Sequence, residues 1–280
     1  THKKILFGNF YREIFKSLFY ISFVAILITL IFGYLYLIPI YYENLSKSIL
    51  SILLLSSNFY FHYSKLIMFW QNDLLIPLEH FWAISLWLQF FIFFPIFFSF
   101  ILTFFRNYLN FFLIVGIVIS FCFSSWAFKT HTSFNFYMLP GHVWQFLLGS
   151  LLANLNFPEK KIIKLNRFIC EILFVFFILI LLFSLFFFED AKSHPSYLTL
   201  PIVLSVYGIV FISENTKYLK FVFTNKFINF FGTISLSLYI SSHIVISFIR
   251  TIDKNNIGEI NFIYFLIVII TSIFFYYFIQ

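Results

Sequence analysis

The segment PLEHFWAISLWLQFFIFFP, residues 77–95, places polar side chains inside a stretch that is otherwise apolar. At 100° per residue, a helix carries Trp82, Ser85 and Gln89 on one face and His80 nearly opposite. An imidazole accepts a proton near neutral pH, and hydroxyl and amide groups hold a ligand through hydrogen bonds. The segment therefore indicates either general-base chemistry on a polar ligand or interhelical hydrogen bonds with an interfacial histidine.

A second group of polar residues lies in FYMLPGHVWQFLLGSLLA, residues 136–153. Pro140 suits the first turn of a helix, and His142, Gln145 and Gly149 then share one face. Small residues on such a face allow two helices to approach closely. Ligand binding and a packing stripe with a polar cap both remain open for this segment.

A third group follows one narrow stripe in FGTISLSLYISSHIV, residues 231–245. Gly232, Ser235, Tyr239 and His243 recur at spacings that keep them on one side of a helix. A buried histidine is most often structural, but this one ends a stripe that also carries a phenol and a hydroxyl. The stripe predicts a cavity or a substrate path as readily as it predicts helix packing.

Motifs for metals and bound cofactors are missing from the sequence. There is no Gly-rich phosphate loop, no HExxH motif and no clustered Cys/His array. The two cysteines, Cys122 and Cys170, do not have CxxC spacing. We therefore predict no bound cofactor and no metal site.

The composition excludes a soluble protein. Of the 280 residues, 61% are apolar and only 10% are charged, and the mean hydropathy is +0.95. A soluble domain needs about 25% charged residues, so this chain is an integral membrane protein. Its formal charge of +7 lies in short loops between apolar runs, which is typical of membrane loops and does not indicate a nucleic-acid partner.

Eight apolar runs approach the roughly 20 residues that a helix needs to cross about 30 Å of hydrocarbon. They lie near 18–40, 80–105, 108–128, 139–155, 168–188, 197–213, 227–250 and 260–279. The predicted fold class is all-α, a polytopic integral membrane helix bundle with about eight transmembrane helices. Segment 46–63 is short and ends in polar residues, so we expect it to form one partly inserted helix that does not cross.

Lysine and arginine indicate the orientation, because cytoplasmic loops are enriched in both. If 46–63 does not cross, twelve of the 18 basic residues fall on one side, whereas a crossing segment divides them evenly. The asymmetric arrangement puts both ends of this chain in the cytoplasm. Residues 1–17 are then a basic amphipathic cytoplasmic segment, and residues 18–280 form one transmembrane domain.

In order and spacing, these segments resemble the acyltransferase 3 family of membrane-bound O-acyltransferases. Residues 77–95 are similar to the family's signature helix and keep Pro77, His80, Trp82, Ser85, Gln89, Phe90 and Pro95. Residues 136–153 are similar to a later family segment and keep Tyr137, Leu139, Pro140, Trp144 and Gly149. The segments GNFYREIFKSLF, SSNFYF, SHPSYLTLP, GTISLSLY and YYFIQ also follow the family's order.

The chain departs from the family pattern at charged positions. Trp87 and Leu88 replace two adjacent glutamates of the signature helix, and His142 and Gln145 replace an Arg and a Glu. The resemblance also implies a catalytic His and an Arg partner on a helix upstream of Thr1. Because the chain lacks an initiating Met, we expect it to begin inside a longer protein; divergence into an inactive relative is the other explanation.

The resemblance implies an O-acyltransferase, most simply an O-acetyltransferase, of the bacterial inner membrane. Its donor substrate is a cytoplasmic acyl-CoA such as acetyl-CoA, and its acceptor is an envelope glycan such as lipopolysaccharide O-antigen or capsule. Membrane lipid is a further partner. The alternative is a catalytically inactive relative that acts as a scaffold or as a carrier of lipid-linked sugar or acyl groups.

Among the residues present, His80 is the predicted catalytic base, at the outer mouth of a hydrated passage through the bundle. Trp82 is suited to stack on a sugar face. The predicted substrate-binding residues are Trp82, Ser85, Gln89, His142, Trp144, Gln145, Ser235, Tyr239 and His243.

Overall fold

The computed structural model describes residues 7–66, 76–155, 166–187, 194–213, 216–252 and 262–279. Within these ranges the chain forms thirteen α-helices and no strand. The helices are α1 (Phe7–Tyr36), α2 (Pro39–Leu53), α3 (Ser57–Leu66), α4 (Phe81–Phe104), α5 (Leu109–Thr130), α6 (Thr132–Tyr137), α7 (Leu139–Leu155), α8 (Arg167–Phe187), α9 (Leu200–Ile212), α10 (Lys217–Thr224), α11 (Lys226–Thr233), α12 (Ser235–Ile252) and α13 (Phe262–Ile279).

Five stretches of these helices are long and apolar enough to cross a bilayer. They are Gly8–Tyr36, Phe81–Phe104, Arg106–Thr130, Arg167–Ser184 and Ser235–Ile252, and two shorter apolar helices span Tyr197–Ile212 and Phe262–Tyr277. Many of their large apolar side chains are exposed on the protein surface, as expected where the solvent is lipid. The predicted class, an all-α polytopic membrane helix bundle, is confirmed. All eight predicted spans lie in helical parts of the chain, although α7 and α9 are shorter than a full crossing needs.

The prediction of one helix over residues 46–63 is wrong. This stretch contains parts of two helices, α2 and α3, of 15 and 10 residues. Pro39 opens α2, where its missing N–H costs nothing. Between the two helices Leu55 has a positive φ of 53°, which a helix cannot continue through. Each helix is too short to cross alone.

The span predicted over 227–250 is also two helices. α11 ends at Thr233 and α12 begins at Ser235, so Gly232 lies on α11. The Thr233 hydroxyl donates to the Phe230 carbonyl and the Ser235 hydroxyl donates to the Gly232 carbonyl. The stripe predicted on one continuous helix is therefore interrupted between Gly232 and Ser235.

Several parts of the topology prediction lie outside the described residues. They are the loop residues 67–75, 156–165, 188–193 and 253–261, which hold many of the counted charges, together with residues 1–6 and 280. Helix α1 begins at Phe7 and continues through residues 17 and 18 without a break.

The chain divides into two compact units, of which the first comprises residues 1–95 and 230–280. Its core is formed by buried aliphatic and aromatic side chains of α1, α2, α4, α12 and α13, including Ile21, Leu45, Phe81, Ile240 and Phe275. α12 packs against α13 and α1, and α2 packs against α3. This packing fixes the start of α4 against neighbouring helices of the same unit.

The second unit comprises residues 96–229. Its main contacts join α5 to α7 and α8 to α9. Gly208 on α9 faces the ring of Phe177 on α8 so closely that a Cβ atom at position 208 would overlap three ring carbons. A side chain at position 208 would require the Phe177 ring to move, so the glycine allows this ring to pack directly on α9.

Candidate active site

A buried turn precedes α4 and is held by α12. The turn contains residues 77–80, all buried, and α4 begins directly after it at Phe81. The Tyr239 hydroxyl donates to the His80 carbonyl at 2.8 Å. The His243 Nδ1 lies 3.4 Å from the Pro77 carbonyl, which accepts when that nitrogen carries the proton. Two side chains of α12 therefore bind the backbone at both ends of the turn.

The His80 ring lies among three other rings. Its centroid is 5.4 Å from that of Tyr239, edge-on, and 5.0 Å from that of His243, at an interplanar angle of 30°. The Phe81 ring lies 4.8 Å away. Within the described part of the chain, both ring nitrogens of His80 are buried and form no hydrogen bond. Such a group is unusual, because most buried polar atoms have a partner.

His80 lies in the turn outside the span, and its environment favours the neutral imidazole. Burial lowers the pKa of His80 well below its usual value near 6.5, and the neighbouring His243 lowers it further. An interaction with the backbone of Ile240 acts in the opposite direction. His80 is therefore neutral at physiological pH, with a nitrogen available to accept a proton.

A second polar group joins α3 to α4. The hydroxyls of Ser57 and Ser85 lie 2.7 Å apart, and the Ser57 hydroxyl also donates to the Phe81 carbonyl at 3.0 Å. The Gln89 amide donates to Asn58 Oδ1 at 2.9 Å and to the Leu55 carbonyl at 2.8 Å. Asn58 donates back to Gln89 Oε1 at 3.4 Å. This α3–α4 network uses both N–H groups of Gln89 within the protein.

The structure thus separates the predicted residues of the signature helix into two sets. Ser85 and Gln89 bind α3, whereas His80 meets Tyr239 and His243 of α12. Ser235 forms its hydrogen bond within its own chain segment, to Gly232, and is exposed. Trp82 is partly exposed near the start of α4. Ser85 and Gln89 share the α3-facing side of α4, whereas His80 lies in the turn before the helix and has no helical face.

The predicted residues of α7 lie in the second unit. The His142 Nε2 lies 2.8 Å from the Phe136 carbonyl. The backbone N–H of Trp144 donates to the Ser120 hydroxyl, which in turn donates to the Pro140 carbonyl. The Trp144 side chain is 1% exposed and packs edge-on against Phe121, whereas Gln145 is partly exposed. Trp144 is thus a core residue of this unit, and His142 caps the segment that precedes α7.

Three polar residues with central contacts were not among the predicted site residues. Ser57 and Asn58 form the α3 side of the α3–α4 network, and Asn135 donates to the Ser124 and Pro195 carbonyls at 3.1 and 2.6 Å. The run SSN at residues 56–58, directly after an apolar stretch, was the available signal for the first two. Nothing local in the sequence marks Asn135, because both of its partners are backbone carbonyls.

Across the described ranges, no group of three or more His, Cys, Asp or Glu residues is positioned to hold a metal ion. The candidate site itself consists of a neutral buried imidazole flanked by a phenol and a second imidazole. Such an imidazole serves as a general base toward a hydroxyl nucleophile.

The helical composition, the apolar spans and the buried histidine cluster together define a multi-pass membrane protein with a candidate acid–base site. A family model described as an acyltransferase domain matches residues 2–280, and the chain belongs to this acyltransferase 3 family. It is accordingly an acyltransferase that transfers groups other than amino-acyl groups. No curated protein and no solved structure matches the chain.

Proposed function

We propose that this protein transfers an acyl group, most simply acetyl, from an acyl-CoA to a hydroxyl of a cell-envelope glycan in the bacterial inner membrane. Lipopolysaccharide O-antigen and capsule are the acceptors that the family resemblance suggests. The observation that carries the proposal is His80, a buried imidazole whose two nitrogens form no hydrogen bond within the described residues.

In the proposed reaction, a nitrogen of His80 accepts the proton of the acceptor hydroxyl as its oxygen attacks the thioester carbonyl. The carbon–oxygen bond forms and the carbon–sulfur bond breaks, and the departing thiolate takes the proton from the imidazolium. The acceptor gains an ester and CoA leaves as the free thiol. The low pKa of His80 keeps the base neutral before each turnover.

Tyr239 and His243 position the base in this mechanism. The Tyr239 hydroxyl holds the His80 carbonyl, and its side chain is 40% exposed, so the cluster is open on that side. His243 binds the same turn and disfavours a second positive charge beside it. We also propose a substrate contact for Trp82, which is partly exposed near the start of α4, whereas Ser85, Gln89 and Trp144 are bonded or packed within the protein.

The test uses the full chain, with any natural extension, in lipid nanodiscs supplied with labelled acetyl-CoA and envelope glycan. His80→Ala removes the base and is expected to abolish labelled glycan, measured by mass spectrometry. His131→Ala is the matched control, because His131 is exposed at the end of α5 and contacts only Trp126 among the described rings. It should retain the activity.

Unchanged product from His80→Ala, at equal amounts of folded protein, would refute the assignment of the base. A wild-type chain that binds glycan or lipid-linked sugar but transfers no acyl group would favour the scaffold or carrier function. Loss of product in both variants would show that the assay reports folding and would contradict the proposed difference between the two histidines.

A further inference from the structure

An apolar pocket lies between three helices of the first unit. Its volume is about 170 Å³, and side chains of α1, α2 and α4 line it. Cavities of about 150 Å³ lined by Leu, Ile and Phe stay dry and bind a six-carbon ring. This pocket therefore has room for a hydrocarbon group of about that size, larger than an acetyl group.

The side chains that line the pocket favour a hydrocarbon ligand. Apart from the hydroxyls of Ser22 and Ser85, all lining side chains are apolar, among them Ile26, Ile52 and Leu88. No charged side chain lines it. A sugar or a phosphate would lose its hydrogen bonds to water there without replacement, so neither is a suitable occupant.

One hydroxyl in the wall has no partner. The Ser22 Oγ is buried and, within the described residues, forms no hydrogen bond, whereas the Ser85 hydroxyl already binds Ser57. Ser22 lies near the middle of α1, well inside an apolar span. A buried hydroxyl in this setting suits a ligand that brings a single acceptor, such as a carbonyl oxygen.

The pocket adjoins the candidate active site through Phe81. This fully buried residue lines the pocket, and its ring packs against the ring of His80. On another side, the pocket is lined by Phe19, Phe23 and Leu53, which are exposed. The pocket therefore opens on the lipid-facing surface of α1 and α2. The pocket and the candidate active site share the Phe81 side chain as a common wall.

We propose that the pocket binds the acyl chain of the donor, with about four to six carbons, and that Ser22 donates a hydrogen bond to its thioester carbonyl. This inference rests on the proposed function and names the acyl group: a short aliphatic chain longer than acetyl. The shape, the apolar lining and the single unpartnered donor each match one part of such a group.

The binding test needs no turnover. The probe is a hexanoyl-CoA analogue in which a methylene group separates the sulfur from the carbonyl, so that it keeps the carbonyl oxygen but cannot transfer its acyl group. It carries a photoreactive diazirine on the chain and is crosslinked to the protein in nanodiscs. Labelled peptides should come from α1, α2 and α4. Ile26→Phe fills the pocket and should reduce this labelling by about tenfold, the discrimination expected for one or two methylenes in a tight apolar site.

Ile31→Phe is the matched control, since it makes the same change on the same helix at a side chain that is 60% exposed. It should label like the wild type. Ser22→Leu is a second filling variant in case Ile26→Phe does not fold, and Ser22→Ala tests the hydroxyl at almost unchanged volume. Folding is checked by circular dichroism and size-exclusion chromatography.

Equal labelling of Ile26→Phe, Ser22→Leu and wild type would overturn the proposal. So would labelling by a diazirine phospholipid that excess hexanoyl-CoA does not displace, because the pocket would then hold a bilayer lipid. In turnover, wild type should prefer hexanoyl-CoA and Ile26→Phe should shift the preference toward acetyl-CoA. Pocket labelling that responds to the variants without any glycan product would contradict the proposed function only. Acetyl transfer without pocket labelling would contradict this inference only.

Discussion

The α3–α4 network and the histidine cluster of α12 differ in how completely their polar atoms are bonded. In the network, the Gln89 amide binds Asn58 and the Leu55 carbonyl, and the two serine hydroxyls bind each other. In the cluster, the two α12 side chains hold the backbone of a turn and leave the His80 nitrogens unbonded within the described residues. Polar groups whose hydrogen bonds are all formed within the protein hold helices together. A polar group with unused hydrogen-bonding atoms can still react with a ligand.

The largest expected difference between the two groups is in catalytic rate. His80→Ala should lower the initial rate by about 10²- to 10⁴-fold, the usual contribution of a general base. Gln89→Ala should leave the rate per folded molecule within about tenfold, since Gln89 is bonded inside the protein. Rates are measured at saturating donor and normalised to the folded fraction. A larger loss for Gln89→Ala than for His80→Ala would reverse the comparison.

Substitutions in the α3–α4 network should instead change the free energy of unfolding. Gln89→Leu removes the partner of Asn58 and of the Leu55 carbonyl, and it should lower the free energy of unfolding by about 1–3 kcal/mol. Thermal unfolding in detergent, followed by circular dichroism, measures the effect. Asn58→Leu combined with Gln89→Leu should cost less than the sum of the single changes, because both partners are then apolar. Additive losses would show that the two amides are not coupled.

A smaller stability change is expected at the serine pair. Ser57→Ala and Ser85→Ala each remove one side of a 2.7 Å hydrogen bond and should each cost about 0.5–1.5 kcal/mol. Ser57→Ala should cost more, since the Ser57 hydroxyl also bonds the Phe81 carbonyl and thereby the start of α4. The same unfolding assay ranks them. Ser85→Ala as the costlier variant would contradict this assignment of donors.

The smallest expected effect is a displacement of the pH profile. Because the pKa of His80 lies well below 6.5, the rate should stay constant as the pH falls through 6.5 and decline only in more acidic solution. Tyr239 and His243 face His80 from α12, and Glu79 precedes it. His243→Ala removes the second imidazole, raises the pKa of His80 and should move the decline to higher pH. A profile that does not move would show that burial accounts for the shift.

Much of the fold follows from the sequence, because long apolar runs in a membrane protein have few alternatives to helix. All eight predicted spans are helical, although the span over 227–250 is divided between α11 and α12. The breaks at Leu55 and near Ile234 were not predicted. The first is tied to tertiary structure, since the Leu55 carbonyl accepts from Gln89, 34 positions away in the chain. The spacing of apolar residues along the chain cannot predict such a long-range hydrogen bond.

The sequence predicted which residues belong to the candidate site better than it predicted which of them contact each other. Spacing on a helix distinguished the face of Ser85 and Gln89 from that of His80, and it put Tyr239 and His243 together. It did not indicate that Ser57 and Asn58 face the first pair, because that contact depends on how α3 packs. Nor did it show that Tyr239 binds a backbone carbonyl 159 residues earlier in the chain.

The contact between Gly208 and Phe177 affects how any mutational survey of this enzyme is interpreted. A screen that scores surviving colonies for lost acyl transfer would identify Gly208 as readily as His80, although the described α8–α9 contact is a packing contact of apolar side chains beside the buried Cys170. Even alanine at this position displaces the Phe177 ring and loosens the α8–α9 packing, so the expected cause of the phenotype is too little protein in the membrane. Quantifying the protein by immunoblot beside each phenotype separates residues that build the enzyme from residues that carry out its reaction.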